Sequence, residues 1–138
     1  MWNGYKLFPF EKIYAFLERH NGAICILMVA LILVGGIGYS VYLGPELRFL
    51  PDESDYFAIA QNLVKSGNYS INGVDPTAAR PPGYPFVLYP LVYLGGGVVA
   101  ARILNYALFA AALVWLNFFL VRTASGFAAS LGVIFACA

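Results

Sequence analysis

The chain has 138 residues, of which 61% are apolar and only 11% are charged, and its net charge is +1. Soluble domains contain roughly 45–50% apolar and about 25% charged residues, so this composition excludes an ordinary soluble globular protein. The near-zero net charge and the scattered basic residues give no indication of a nucleic-acid partner. We therefore expect an all-α, polytopic integral membrane protein.

The N-terminal region predicts an uncleaved membrane anchor. Residues 1–21 mix aromatic and charged side chains and are expected to lie along the cytoplasmic interface. The run Ala23–Leu43 contains no charged residue and would be about 31 Å long as a helix, enough to cross a hydrocarbon core, so we predict a first span over residues 22–43. By the positive-inside rule the N-terminus is cytoplasmic, because three basic residues precede the run: Lys6, Lys12 and Arg19.

Residues 44–80 form the one sizeable polar stretch and are predicted to be an external loop. Within it, residues 53–66 have the spacing of an amphipathic helix that lies at the outer membrane surface. Asp52 is expected to be the N-cap of this helix, and Gly67 the glycine that follows its last turn.

The remainder of the chain predicts further spans. We expect a short second span over residues 81–96, a third over residues 100–122, and the beginning of a fourth over residues 127–138. Because the fourth apolar run is too short to span, the chain is expected to be the N-terminal part of one longer transmembrane domain. If residues 81–99 instead stay outside, Arg122 becomes cytoplasmic rather than external.

Three polar residues of the third span are given structural roles. Arg102 is expected to lie near the cytoplasmic end of the span and to contact lipid headgroups. Asn105 and Asn117 are expected to form hydrogen bonds with neighbouring helices rather than bind a ligand.

The external loop carries the residues that could perform chemistry. Asp52, Glu53 and Asp55 lie within four positions and are three of the seven acidic residues in the chain. Acids at a helix N-terminus stabilise the helix dipole, by about 0.3–1 kcal/mol each, and this role competes evenly with a catalytic one. The spacing indicates no particular metal site, although a requirement for a divalent metal remains open.

Arg80 precedes the step Pro81-Pro82 and is suited to binding a phosphate at the bilayer surface. An arginine at this position also commonly extends its charged group into the headgroup region, and spacing does not separate the two roles. Tyr56 and Tyr84 could line a sugar site, although aromatic anchoring at the membrane interface is the favoured role for each.

A resemblance to a known family favours the catalytic interpretation. The order "DESDYFAIAQNLVKSGNYS…PTAARPPGYPFVLYPLVYLGG…AARILNYALF", over roughly residues 22–122, resembles the start of polytopic glycosyltransferases of the GT-C fold. These are the relatives of protein O-mannosyltransferases and aminoarabinose transferases that use polyprenyl-phosphate sugars as donors. The resemblance implies a catalytic acid in the first external loop, at Asp52 or Asp55, and a basic residue, here Arg80, that contacts the donor phosphate.

The chemistry expected of these residues adds further features of the reaction. Glu53, Arg80, Tyr56 and Tyr84 would bind substrate, and sugar transfer would proceed by a single displacement with inversion. The donor would be a polyprenyl-phosphate sugar in the bacterial inner membrane, and its sugar and the acceptor remain unknown. The alternative is a non-catalytic polytopic protein, such as a transporter segment or an assembly subunit, whose loop acids only cap a helix.

Overall fold

The computed structural model describes residues 9–47 and 51–138, and these residues form helices joined by loops, without any β-strand. The five helices are listed here in chain order: α1 (Pro9–Leu43), α2 (Pro51–Ser66), α3 (Gly83–Tyr93), α4 (Val98–Thr123) and α5 (Gly126–Cys137). The predicted all-α class is therefore confirmed for the described part of the chain.

Two of these helices, α1 and α4, are long and apolar enough to cross a membrane. In the most apolar 18-residue stretch of each helix, only 17% of α1 and 11% of α4 is buried. A core helix of a soluble protein would be mostly buried. Many of the exposed side chains of these helices are large and apolar, among them Ile26, Val34, Trp115 and Phe118. Such surfaces are stable in lipid and costly in water, which supports a membrane location.

The first helix is longer than the predicted span. Residues 9–21, part of the predicted interfacial segment 1–21, continue into α1, because no further proline lies between Pro9 and Leu43. Residues 1–8 lie outside the described residues. The predicted end of the span at residue 43 agrees with the helix, which ends at Leu43 before Gly44 with φ 71°.

The contacts divide the chain into two compact units. The span unit comprises Met1–Gly36 and Tyr106–Ala138, and the loop unit comprises Ile37–Asn105. In the span unit, α1 and α4 run antiparallel. Asn21 donates a hydrogen bond to Asn117 at 3.2 Å, while Gly36 lies so close to the ring of Tyr106 that a Cβ atom would overlap it.

The last helix, α5, begins with a side-chain cap and is fixed to α1 within the span unit. The Ser125 hydroxyl accepts a hydrogen bond from the amide of Ala128, as expected of an N-cap serine. The Ser130 hydroxyl donates to the carbonyl of Leu17 at 2.9 Å. The predicted helix over residues 127–138 thus agrees closely with the observed bounds of α5.

In the loop unit, α2 and α3 pack together with the start of α4. Their shared core consists of small and large apolar residues: Phe57, Ala60, Leu88, Val98 and Ala101. The predicted helix over residues 53–66 is confirmed, and Gly67 (φ 70°) ends it as expected. The prediction of Asp52 as N-cap is wrong, because α2 begins at Pro51, a residue favoured at the first helical position.

Helix α3 is shorter than the span predicted over residues 81–96. It has 11 residues, which corresponds to about 16 Å, roughly half of a hydrocarbon core. Pro82 precedes its first residue, and at its end Gly95 (φ 84°) donates a backbone hydrogen bond to Val92 that closes the turn. Prolines at the beginning and glycines after the end therefore limit the length of this helix.

Candidate functional site

The N-terminal turns of α2 distribute the three acids over two directions. Asp52, Asp55 and Tyr56 have the i, i+3, i+4 spacing that places side chains on one helical face. Glu53 and Phe57, four residues apart, share the adjoining face. The acids are adjacent in sequence, but they pair with different arginines.

Arg80 pairs with both acids of the first face. Its Nε and Nη2 atoms donate to Oδ2 of Asp55 at 3.1 and 3.0 Å, and Nη2 lies 2.6 Å from Oδ1 of Asp52. The Asp52 side chain is 70% exposed and that of Asp55 only 25%, so Asp52 is the more accessible carboxylate. The hydrogen bond to Asp55 raises the pKa of the Arg80 guanidinium, which therefore stays charged.

The segment that carries Arg80 folds back onto α2. The Tyr69 hydroxyl donates to the carbonyl of Arg80 at 2.8 Å, and the amide of Thr77 donates to the carbonyl of Tyr69 at 2.9 Å. The Asn62 amide donates to the carbonyls of Ser70 and Ile71 at 2.9 and 3.2 Å. These bonds fix the backbone on either side of the turn, and they position Arg80 over the first turns of α2.

Glu53 pairs with Arg102 in a bidentate arrangement. The Arg102 Nε atom donates to Oε1 of Glu53 at 2.5 Å, and its Nη2 atom to Oε2 at 3.0 Å. Two further donors of Arg102 reach the carbonyls of Gly44 and Glu46 at 2.7 and 2.8 Å. Arg102 is only 8% exposed, so its prediction as a headgroup anchor is wrong. It joins the end of α1, the start of α2 and the start of α4.

A cavity of about 310 Å³ lies within the loop unit. It is at the lower end of the size range of small-ligand sites. Its polar lining comes from Asp52, Glu53, Arg102 and Asn105, and its aromatic lining includes Tyr56 and Tyr84. The rings of Tyr56 and Tyr84 meet edge to face with centroids 5.2 Å apart, and the Tyr84 hydroxyl donates to Oδ1 of Asn105 at 2.7 Å.

Four of the six site residues predicted from the sequence line this cavity: Asp52, Glu53, Tyr56 and Tyr84. Asp55 and Arg80 do not line the cavity. The Arg80 guanidinium contacts both Asp55 and Asp52, and Asp52 is a lining residue. Asn105 and Asn117 form interhelical hydrogen bonds as predicted, with Tyr84 and Asn21.

Sequence reasoning did not assign Arg102 or Asn105 to the site. A usable signal was present, because an ionisable residue in an apolar helix is a functional candidate by default. Arg102 and Asn105 are also three positions apart, so one helical face carries both toward the cavity.

The three acids of α2 do not form a metal site. Within residues 9–47 and 51–138, no group of three or more His, Cys, Asp or Glu side chains could hold a metal ion. Asp52 and Asp55 converge on Arg80 and Glu53 on Arg102, so these carboxylates are neutralised by arginines.

No protein-family model, curated protein or solved structure matches this chain. What the protein does must therefore be inferred from the chemistry of the loop unit. That unit combines an exposed carboxylate, a charged guanidinium beside it and a cavity with aromatic walls.

Proposed function

We propose that this protein is an integral-membrane glycosyltransferase that moves a sugar from a polyprenyl-phosphate donor to a lipid, glycan or protein acceptor on the external face. The observation that carries this proposal is the exposed carboxylate of Asp52, which lines the cavity and lies 2.6 Å from the guanidinium of Arg80. A general base and a phosphate-binding cation are the two groups that transfer from a lipid-linked phosphate requires.

Asp52 acts as the base in this proposal. Its carboxylate accepts the proton of an acceptor hydroxyl while the hydroxyl oxygen forms a bond to the anomeric carbon of the donor sugar. The bond from that carbon to the phosphate oxygen breaks with its electron pair, and the polyprenyl phosphate leaves. A single displacement of this kind inverts the anomeric configuration. The exposure of Asp52 and its place in the cavity wall support it over Asp55.

Arg80 stabilises the charge that develops on the departing phosphate. Its Nη2 atom contacts both acids, whereas its Nε atom donates to Asp55. An arriving phosphate therefore competes with Asp52 for Nη2 while the Nε contact with Asp55 persists. This exchange releases the Asp52 carboxylate for proton transfer as the donor binds, and it gives Asp55 the role of positioning Arg80.

The aromatic wall supports a sugar as the bound group. Tyr56 and Tyr84 present a large, rigid surface with polar atoms at its edge, and apolar Leu88 and Val98 complete the cavity. The sugar is bound there, while the polyprenyl chain of the donor lies in the bilayer beside the apolar helices α1 and α4. The protein would then reside in the bacterial inner membrane, with its N-terminus cytoplasmic and the loop unit external.

One observation favours the competing function, a non-catalytic membrane protein. All three acids form ion pairs with arginines, and such pairs hold a loop to its neighbouring helices without any catalysis. The two functions make opposite predictions for a substitution that preserves shape but removes basicity.

The deciding experiment uses membranes that contain the full-length protein and a panel of radiolabelled polyprenyl-phosphate sugars. Movement of label from the lipid donor to any acceptor is compared for wild type, Asp52→Asn and Glu53→Gln. Transfer by wild type and its loss in Asp52→Asn support the enzyme. The absence of transfer from every donor by the wild-type protein would overturn the proposal.

A further inference from the structure

The wall of the cavity contains a pair of hydrogen-bonded side chains from two helices. The Tyr84 hydroxyl of α3 donates to Oδ1 of Asn105 of α4 at 2.7 Å, and both residues line the cavity. This bond uses the single proton of the phenol and the carbonyl oxygen of the amide. What the pair has left to offer a ligand is the two N–H donors of Asn105 and the acceptor lone pairs of Tyr84.

The neighbouring charged groups are already committed to other partners. Arg102, one turn before Asn105, donates to Glu53 and to the carbonyls of Gly44 and Glu46. Glu53 accepts both hydrogen bonds of that bidentate pair. Asn105 and Tyr84 therefore supply a neutral donor and a neutral acceptor to the cavity beside these charged groups.

Asn105 is an exposed residue in the second turn of α4, so its amide plane can rotate unless a neighbouring group fixes it. Tyr84 provides a partner for the amide oxygen and fixes the orientation of the amide plane. The amide N–H groups are then held beside the phenol oxygen at the cavity wall, where a ligand can accept from them.

We propose that Tyr84 and Asn105 form a specificity-determining pair that recognises one hydroxyl group of the donor sugar. A hydroxyl both accepts and donates, so its oxygen accepts an N–H of Asn105 while its proton is donated to the Tyr84 oxygen. A site built in this way discriminates strongly against an analogue that lacks the hydroxyl, because two polar groups of the protein then lose their partner. This assignment rests on the proposed glycosyltransferase function.

The test compares a parent polyprenyl-phosphate sugar with its monodeoxy analogues, each lacking one hydroxyl. Wild type should lose about ten- to hundredfold in kcat/KM for one of them. Asn105→Leu, which is similar in size, should use the parent less well and treat that analogue and the parent within about threefold of each other. Tyr84→Phe, which keeps the ring, should lose part of the same discrimination.

Asn117→Leu is the matched control, because Asn117 lies on the same helix but pairs with Asn21 in the span unit. It should keep the selectivity of wild type. Wild-type selectivity in both Asn105→Leu and Tyr84→Phe would overturn the assignment, as would a wild type that does not distinguish the analogues.

Binding of each radiolabelled donor to the purified protein, measured as retained label, tests the Tyr84–Asn105 pair independently of sugar transfer. If wild type binds donors selectively and Asn105→Leu loses the selectivity, the pair is supported even without sugar transfer. If wild type binds no donor, the assignment is overturned together with the function.

Discussion

Glu53 and Arg102 are 49 positions apart in the chain, yet they form a bidentate ion pair with distances of 2.5 and 3.0 Å. The same guanidinium binds the carbonyls of Gly44 and Glu46 just beyond α1. One side chain thereby joins the end of α1, the start of α2 and the start of α4. The second ionic group of the loop unit, Arg80 with Asp52 and Asp55, lies on the adjoining face of α2.

The first prediction concerns the stability contributed by this pair. Arg102→Met should lower the free energy of unfolding by about 2 kcal/mol, because it leaves the Glu53 carboxylate partly buried without its partner. We place the value below that of a fully buried pair because the Glu53 side chain is 24% exposed. The double variant Glu53→Gln/Arg102→Met should be less destabilised than Arg102→Met alone.

Thermal unfolding in detergent measures these changes. Arg122→Met is the matched control, since Arg122 is at the other end of α4 and stacks on Phe118 at 4.3 Å. An Arg122→Met variant as destabilised as Arg102→Met would contradict a special role for the Glu53–Arg102 pair.

The second prediction concerns topology. Because Arg102 binds the carbonyl of Gly44, the end of α1 and the start of α4 should lie at the same membrane face. Helix α3, at about 16 Å, should then return to the face from which the loop began rather than cross the bilayer. The alternative with residues 81–99 outside is the one we expect, and Arg122 should be cytoplasmic.

Single cysteines introduced at residues 72, 97 and 124, after replacement of Cys25 and Cys137 by alanine, measure this directly. An impermeant thiol reagent added from outside should label residues 72 and 97 but not residue 124. Labelling of 72 and 124 without 97 would show that α3 crosses the membrane.

The third prediction concerns Arg80. Arg80→Ala should raise the KM for the donor and lower kcat as well, because the phosphate charge grows toward the transition state. Arg80→Lys should retain part of the activity, since it keeps the charge but not the planar fork of donors. Normal kinetics in the alanine variant would show that Arg80 holds the loop against α2 and does not bind the donor phosphate.

The fourth prediction concerns pH. Burial, with a smaller contribution from Tyr56, raises the pKa of Tyr69 above its ordinary value of 10.0. The protonated hydroxyl that donates to the Arg80 carbonyl is therefore favoured by the fold. This contribution is fully present below pH 10.0 and is lost as the pH rises through the higher folded-state pKa.

Tyr69→Phe should therefore have a lower Tm than wild type at pH 8, and the difference should shrink above pH 10.0. Tyr93→Phe, at an exposed position of α3, is the control and should show no such convergence. A difference that stays constant with pH would assign the effect of Tyr69→Phe to packing alone.

The sequence was sufficient for the elements whose signals are local. A charge-free run predicted the end of α1 at Leu43, and amphipathic spacing with Gly67 predicted α2 and its end. The predicted start of α2 was two residues late, because proline and aspartate are both favoured near a helix N-terminus and nothing local ranks them.

The pairings of the site could not be predicted in the same way. Asp52, Glu53 and Asp55 form one acidic cluster in sequence, and only the helical rotation between them sends Glu53 to Arg102 and the other two to Arg80. No spacing rule in the sequence relates residues as far apart as Glu53 and Arg102, since only tertiary packing brings them together. The polar character of Arg102 in an apolar helix was the one available signal.

The measurement that tests the central claim most directly is the rate of sugar transfer by Asp52→Asn. The amide keeps the shape of the side chain and its helix-starting preference but cannot accept the proton of the acceptor. We predict a fall of at least about a hundredfold with a nearly unchanged Tm, and a milder loss of transfer in Asp55→Asn. If both variants transfer sugar at the wild-type rate, the acids serve only to hold the loop, and the catalytic assignment is contradicted.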